Sequence, residues 1–186
     1  MIAVYVRRRS EWAESLRCTL LDAGIPCALV GPEYGNTTLA LRLPFLTLSP
    51  EDGEMHDTMR QTLPPESILS WPADVPPVQA VWQAYHRRFG EEELRRGGVR
   101  FMRDTVRFRG EPLHLSACEM RIVLLLTLCT DICFTAEEIA SLCLQSGSAS
   151  AAVVHICHIN TKTQQSVQFP MIESRRYKGY RIRSEY

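Results

Sequence analysis

The chain has 186 residues and no net formal charge, 21 Lys and Arg offsetting 21 Asp and Glu, and 45% of it is apolar, enough for one large core or two small ones. Its longest mostly apolar stretch, Ile122 to Cys129, broken only by Thr127, falls far short of the ~18 to 20 residues that cross a bilayer, which excludes a membrane-spanning helix. Seven cysteines without a Cys-x-x-Cys pair argue against a disulfide framework and fit a reducing compartment, where most serve as small core residues.

Taken in chain order, Met1 to Val6 is apolar and only then meets Arg7, Arg8 and Arg9, the reverse of a secretory signal, so a cytoplasmic location is expected. Ile2 to Val6 reads as a buried strand. Ser10 is placed to cap a helix carrying Trp12, Leu16, Leu20 and Leu21, which Gly24 stops. Pro26 to Val30 is a second strand, the alternation from Thr37 to Leu43 a third, and Ser67 to Trp71 a short fourth; residues 49 to 66 fit no single element. Val78 to Arg88 is a helix with Val81, Trp82 and Tyr85 along one side. Strand, helix, strand order favours an α/β domain with a parallel sheet.

The stretch Arg87 to Gly98 combines dense charge with a closing glycine pair, little of which suits a core. Domains are therefore expected at 1–88 and 99–186, joined by a linker at 89–98. Beyond it, Val99 to Met102, Thr105 to Phe108 and Leu113 to Leu115 read as short antiparallel strands, with Gly110 in a turn. Two Ser/Thr-x-x-Glu capping boxes follow, Ser116 with Glu119 and Thr135 with Glu138. The first opens a helix with Met120, Val123, Leu124 and Leu128 on one face; the second opens one with Ile139, Leu142 and Leu144. A third helix spans about Ser150 to Gln164, with Val153, Ile156 and Ile159 inward. Ile172 to Ile182 closes as a basic β-hairpin around Gly179. Two helices, a turn, a third helix and a hairpin make an α+β winged helix-turn-helix. Charge supports this, because Lys162 to Tyr186 holds six cations against Glu173 and Glu185, a local balance of +4.

This second half resembles the winged-helix output domain of bacterial OmpR/PhoB-type response regulators of two-component systems. Leu115-Ser-Ala-Cys-Glu119 is similar to the family's Leu-Thr-x-x-Glu, and Thr135-Ala-Glu-Glu-Ile139 to its Ser-Arg-Glu-Glu-Leu. Val154-His-Ile156 matches its Val-His-Ile, and Ile172 to Ile182 resembles its Ile-x-Thr-Val-Arg-Gly-x-Gly-Tyr-Arg-Leu. The first half resembles a shortened, degenerate receiver domain of flavodoxin-like fold, with Ser67-Ile-Leu-Ser-Trp-Pro72 in place of the receiver's last strand. Receivers carry acidic residues after strand one to hold Mg²⁺; this chain has Arg7, Arg8 and Arg9, which repel a divalent cation. Leu41-Arg-Leu-Pro-Phe45 offers no phosphoacceptor Asp, and Trp71 stands where a lysine is expected, so no phosphorylation site is expected.

The resemblance implies a transcriptional regulator, independent of phosphorylation, whose partner is double-stranded DNA. It also implies a homodimer face on the first half and a contact with RNA polymerase as further expectations; no membrane, cofactor or catalytic group is expected. After Val-His-Ile the family carries Ser-Arg-Leu-Arg-Arg-Lys, whereas this chain has Cys157-His-Ile-Asn-Thr-Lys162, so most of the fixed charge of that helix is missing. The expected DNA contacts are His155, Cys157, His158, Asn160 and Lys162 on the helix, with Asn160 suited to reading adenine. On the hairpin they are Ser174, Arg175, Arg176, Lys178 and Tyr180, with Arg176 aligned on a minor-groove arginine and Arg181 adding charge. The alternative is a winged helix that contacts another regulator or RNA polymerase. His155 and His158 lie three apart on one helical face with Cys157 between, yet a tetrahedral site needs four converging ligands and nothing brings Cys133 or Cys143 near, so no metal site is expected. An anion site at Arg7 to Arg9 and an enzyme on the first half both find less support than a solvated basic turn and a binding protein.

Overall fold

In the computed structural model, which describes residues 2–6, 8–35, 39, 42–43, 45–48, 68–69, 75–89, 94–102, 105–129, 132–145 and 147–183, the chain divides into two units, Met1–Gly90 and Glu91–Tyr186.

The first unit is an α/β layer. Strands β1 (Ile2–Tyr5), β2 (Cys27–Val30) and β3 (Phe45–Leu48) form a parallel sheet in the order β2-β1-β3, with Ile2 opposite both Cys27 and Phe45. Every residue of β1 and β2 is buried, as expected of parallel strands covered on both faces. Helix α1 (Glu11–Asp22) connects β1 to β2 and buries Ala13, Leu16, Leu20 and Leu21 at helical spacing. Gly24 ends it at φ +79°, with the Gly24 and Ile25 amides returning to Leu21 and Leu20. Helix α2 (Pro77–Phe89) packs beside α1, burying Ala80, Val81, Ala84 and Tyr85. Burial pushes the Cys27 thiol up to about 12, so it is an inert core group.

Several expectations for this unit change. Ser10 has the extended backbone of an N-cap but makes no side-chain cap bond, and Trp12 lies toward solvent, 37% exposed. Of the strand expected at Thr37 to Leu43 the described residues are not extended: Leu39 is helical and the Arg42 amide donates to its carbonyl, a local turn that the alternating leucines concealed, while residues 37, 38, 40 and 41 lie outside the described residues. The strand comes later, at Phe45–Leu48, where an apolar run follows Pro44, a residue that cannot continue a helix. Of the fourth strand only Ile68 and Leu69 are described; the rest, and residues 49–66, lie outside the described residues.

The second unit is a winged helix-turn-helix preceded by an antiparallel meander, β4 (Leu94–Arg96), β5 (Val99–Met102), β6 (Thr105–Phe108) and β7 (Glu111–Leu113), paired in that order. Strand β4 falls inside the stretch expected as linker. Its cause is Gly97-Gly98, at φ +56° and +73°, which joins Arg96 to Val99 as a two-residue turn with both central residues left-handed, the geometry that matches strand twist. The same device recurs at Arg109 (φ +52°) and Gly110 (φ +92°), which sets Phe108 opposite Glu111 and ends β7 at Leu113 rather than Leu115.

Helices α3 (Ala117–Leu128), α4 (Ala136–Cys143) and α5 (Ala149–Val167) follow. Both capping boxes form: the Ser116 and Thr135 hydroxyls accept the Glu119 and Glu138 amides, and each glutamate accepts the cap residue's own amide. Helix α5 runs longer than expected, from a Ser148 cap to Gln168, which stops it at φ +56°. Ile122, Leu125 and Leu126 of α3 meet Ile139, Leu142, Ile156, Ile159 and Met171 in one core, each fully buried side chain worth about 1.5–3 kcal/mol. Strands β8 (Ile172–Arg175) and β9 (Gly179–Ile182) close the hairpin, and Phe134, in the α3–α4 connection, pairs with Tyr180 outside β9. No described helix is long and apolar enough to cross a membrane.

Candidate nucleic-acid interface

The solvent face of α5 is set by its buried positions. Ala152, Ile156, Ile159 and Thr163 pack inward, which turns Ser150, Val154, Cys157, His158, Thr161, Gln164 and Gln165 outward at a spacing of three and four. None of these carries a fixed charge. The one Lys or Arg of α5 is Lys162, whose Nζ lies 2.6 Å from Oε2 of Glu119 and also donates to the His114 carbonyl at 2.9 Å. Burial alone raises the Glu119 carboxyl, but the Lys162 ammonium and the Ser116 amide hold it below the usual carboxylate range. Lys162 is thus a strut between α5 and α3.

Asn160 is likewise committed. Its Nδ2 donates to the Ile172 carbonyl and its Oδ1 accepts the Ile172 amide, both at 2.8 Å, so the amide that was expected to read adenine binds β8 instead. Beside it, the Thr163 hydroxyl donates to the Asn160 carbonyl and accepts the Met171 amide. Of the expected helix contacts, Cys157 and His158 are exposed, while His155 is half-buried with Nδ1 lacking a hydrogen-bond partner. Sequence reasoning missed Val154, 51% exposed, and Gln164 and Gln165; the inward set Ile156, Ile159 and Thr163 is the signal that locates them.

On the hairpin, Gly179 sits at φ +104°, and a Cβ there would lie 2.2 Å from the Phe134 carbonyl oxygen. Glycine is required twice over, by conformation and by close approach. Phe134 and Tyr180 exchange two backbone bonds, 2.9 and 2.8 Å, an isolated bridge that fastens Phe134 to the wing. Ser174 is exposed opposite Tyr180, whose backbone is held between Ser174 and Phe134 and whose ring is half-buried.

The wing arginines differ in their partners. Nε of Arg175 and Nε of Arg181 both donate to Oε1 of Glu173, at 2.8 and 2.7 Å. Burial opposes ionisation of Glu173, but these two guanidinium groups hold its carboxyl below the usual range. Arg176 lies over the Tyr177 ring, 4.9 Å from its centroid, and Tyr177 is 91% exposed at φ +61°. Neither Arg176 nor Lys178 has an ion-pair partner among the described residues. Arg175, Lys178 and Arg181 line an open depression with Ile132 and Cys133.

No family model matches the sequence, and no curated protein matches it. Solved structures do. The DNA-binding domain of the response regulator AdeR, in complex with an intercistronic region, is 20% identical over 50% of this chain and 99% of that one, with a TM-score of 0.44. DrrB, an OmpR/PhoB homolog of Thermotoga maritima, is 16% identical over 97% of both chains, with a TM-score of 0.46. A streptococcal protein of a redox-sensor family evolved from two-component response regulators is 13% identical over the whole of both, with a TM-score of 0.44. The motifs at Leu115–Glu119, Thr135–Ile139, Val154–Ile156 and Ile172–Ile182 are those in which the chain resembles OmpR/PhoB-type response regulators.

Proposed function

We propose that the protein is a response-regulator-like transcription factor that binds duplex DNA through its second unit and does so without aspartyl phosphorylation. The observation that carries the DNA reading is the pairing of an exposed polar face on α5 with the wing-tip cations Arg176 and Lys178, which have no ion-pair partner among the described residues. Phosphate contacts supply most of the affinity, so the wing anchors the complex. Val154, His158, Gln164 and Gln165 then meet base edges, glutamine being suited to adenine and an aliphatic group to the thymine methyl. Phosphorylation independence is supported by Arg8 and Arg9 after β1, where Arg9 donates its amide to Glu33, and by the lack of any aspartate in β3.

Promoter fragments, including the protein's own upstream region, titrated at two salt concentrations test the reading. Binding is expected to weaken with salt and to fall sharply on Arg176→Glu; no binding even at low salt refutes it. Incubation with a small-molecule phosphodonor should leave the mass unchanged, and a labile phosphoryl adduct would refute the second half.

A second reading has its own observation. The exposed face of α5 lacks any fixed charge and presents Val154, which suits contact with another regulator or RNA polymerase. Salt-insensitive capture of polymerase with no DNA binding would favour it.

A further inference from the structure

We propose that Glu119, His155 and His158 form a binding site for a divalent transition-metal ion of the zinc class, linking α3 to α5. One ligand atom from each residue lies within 4.8 Å of the other two. The fold brings them together from two elements: the capping box fixes Glu119 at the first turn of α3, and the spacing of three on α5 places both imidazoles over that turn. Nδ1 of His158 is 3.9 Å from Oε1 of Glu119, and the His155 and His158 rings stand at 89° with centroids 6.5 Å apart.

Two further features fit a cation. The carboxylate is oriented by its other oxygen, since Oε2 accepts the Ser116 amide at 2.7 Å and Lys162 at 2.6 Å, an outer shell of the kind that holds a ligating carboxylate in place. His155 has a ring nitrogen, Nδ1, that is buried with no hydrogen-bond partner, an unmet polar group on one of the three residues.

Two imidazoles and one carboxylate suit zinc, cobalt or nickel better than the all-oxygen cations calcium and magnesium. With ligand bonds of about 2.0–2.1 Å, a tetrahedral ion sets its ligand atoms roughly 3.3 Å apart, so the cluster closes by up to roughly 1.5 Å on binding. The His158 side chain is 61% exposed and free to swing that far, and its exposure leaves the fourth position to water. The nearby Lys162 ammonium opposes the ion, so affinity falls below that of a closed structural zinc site. If α5 contacts DNA as proposed above, the ion also adds positive charge next to exposed positions of α5 that carry no fixed charge.

The test is titration of chelator-treated full-length protein with Zn²⁺ and with Co²⁺, in the absence of DNA. One ion per chain is expected, with cobalt giving the visible absorption of a four-coordinate nitrogen and oxygen site. His155→Gln and His158→Gln, confirmed as folded by circular dichroism, should each weaken binding by more than about tenfold, and Cys157→Ser should leave it unchanged. Absence of binding by the parent protein overturns the proposal. So does binding that survives both histidine substitutions or disappears in Cys157→Ser, since the ion then sits elsewhere.

Discussion

Replacing Gly179 by alanine tests how the wing is fastened. The residue sits at φ +104°, where an L side chain is strained by roughly 1–2 kcal/mol. Its new Cβ would meet the Phe134 carbonyl oxygen at 2.2 Å and the Phe134 carbonyl carbon at 2.5 Å, both backbone atoms with no side-chain rotation to relieve them. Phe134 and Tyr180 must then separate, losing backbone bonds of 2.9 and 2.8 Å at about 1 kcal/mol each. The expected cost is about 3–4 kcal/mol in the unfolding of the second unit, or a fall of roughly 15–25 °C in Tm. Gly110→Ala is the control: φ is +92° there, but nothing lies within 4 Å of the added Cβ, so only the conformational strain applies. Urea titration of the full chain, followed by circular dichroism, gives both values. Equal losses at the two glycines would refute the reasoning, because the close approach to Phe134 would then contribute nothing.

Lys162→Gln should cost about 1.5–3 kcal/mol by leaving Glu119 without its charged partner. Because the Glu119 carboxyl is held low in the folded state, the stability it adds is complete above the unfolded carboxyl pKa and disappears as pH falls through the lower folded value. Stability curves measured from pH 7 to 3 should thus fall less in Lys162→Gln than in the parent protein, and parallel curves would count against the strut. Asn160→Ala removes two bonds to Ile172 and should lower stability by about 2 kcal/mol while leaving the salt slope of DNA binding unchanged; a shallower slope would mean that Asn160 meets phosphate after all. Glu173→Gln releases Arg175 from its carboxylate partner, so the logarithmic salt slope should steepen by up to about 0.9 if that guanidinium reaches a phosphate, and an unchanged slope places it away from DNA.

Local chemistry was legible in the sequence and distant pairing was not. Ser116 with Glu119 and Thr135 with Glu138 announce two helix starts, because a capping box needs only residues three apart. The glycines at 97 and 98 were open to two readings, linker or tight turn, and only the pairing of Arg96 with Val99 selects the turn. The alternation from Thr37 to Leu43 suggested a strand because leucines two apart fit either a pleat or a short helical turn. On α5, Asn160 and Lys162 are polar residues of the helix that the sequence presents as a recognition helix, and by sequence alone they read as DNA contacts. Their partners, Ile172 and Glu119, lie 12 and 43 residues away, beyond any local pattern. Glu119 was legible as a cap but not as the neighbour of His155 and His158, for the same reason.

The attachment of the wing at both sides also governs how it meets other chains. In an antiparallel pair, alternate residues turn their peptide groups outward, and on this hairpin those include Ile172 of β8 and Tyr180 of β9. Tyr180 is taken by Phe134 from one side, and Ile172 by the Asn160 side chain, whose amide stands in for a peptide group, from the other. Neither edge therefore offers a continuous row of open donors and acceptors. A two-stranded ribbon left bare would be a template for strand exchange or fibre growth; here one backbone segment and one asparagine interrupt both borders, and the wing stays available for side-chain recognition while closed to strand addition.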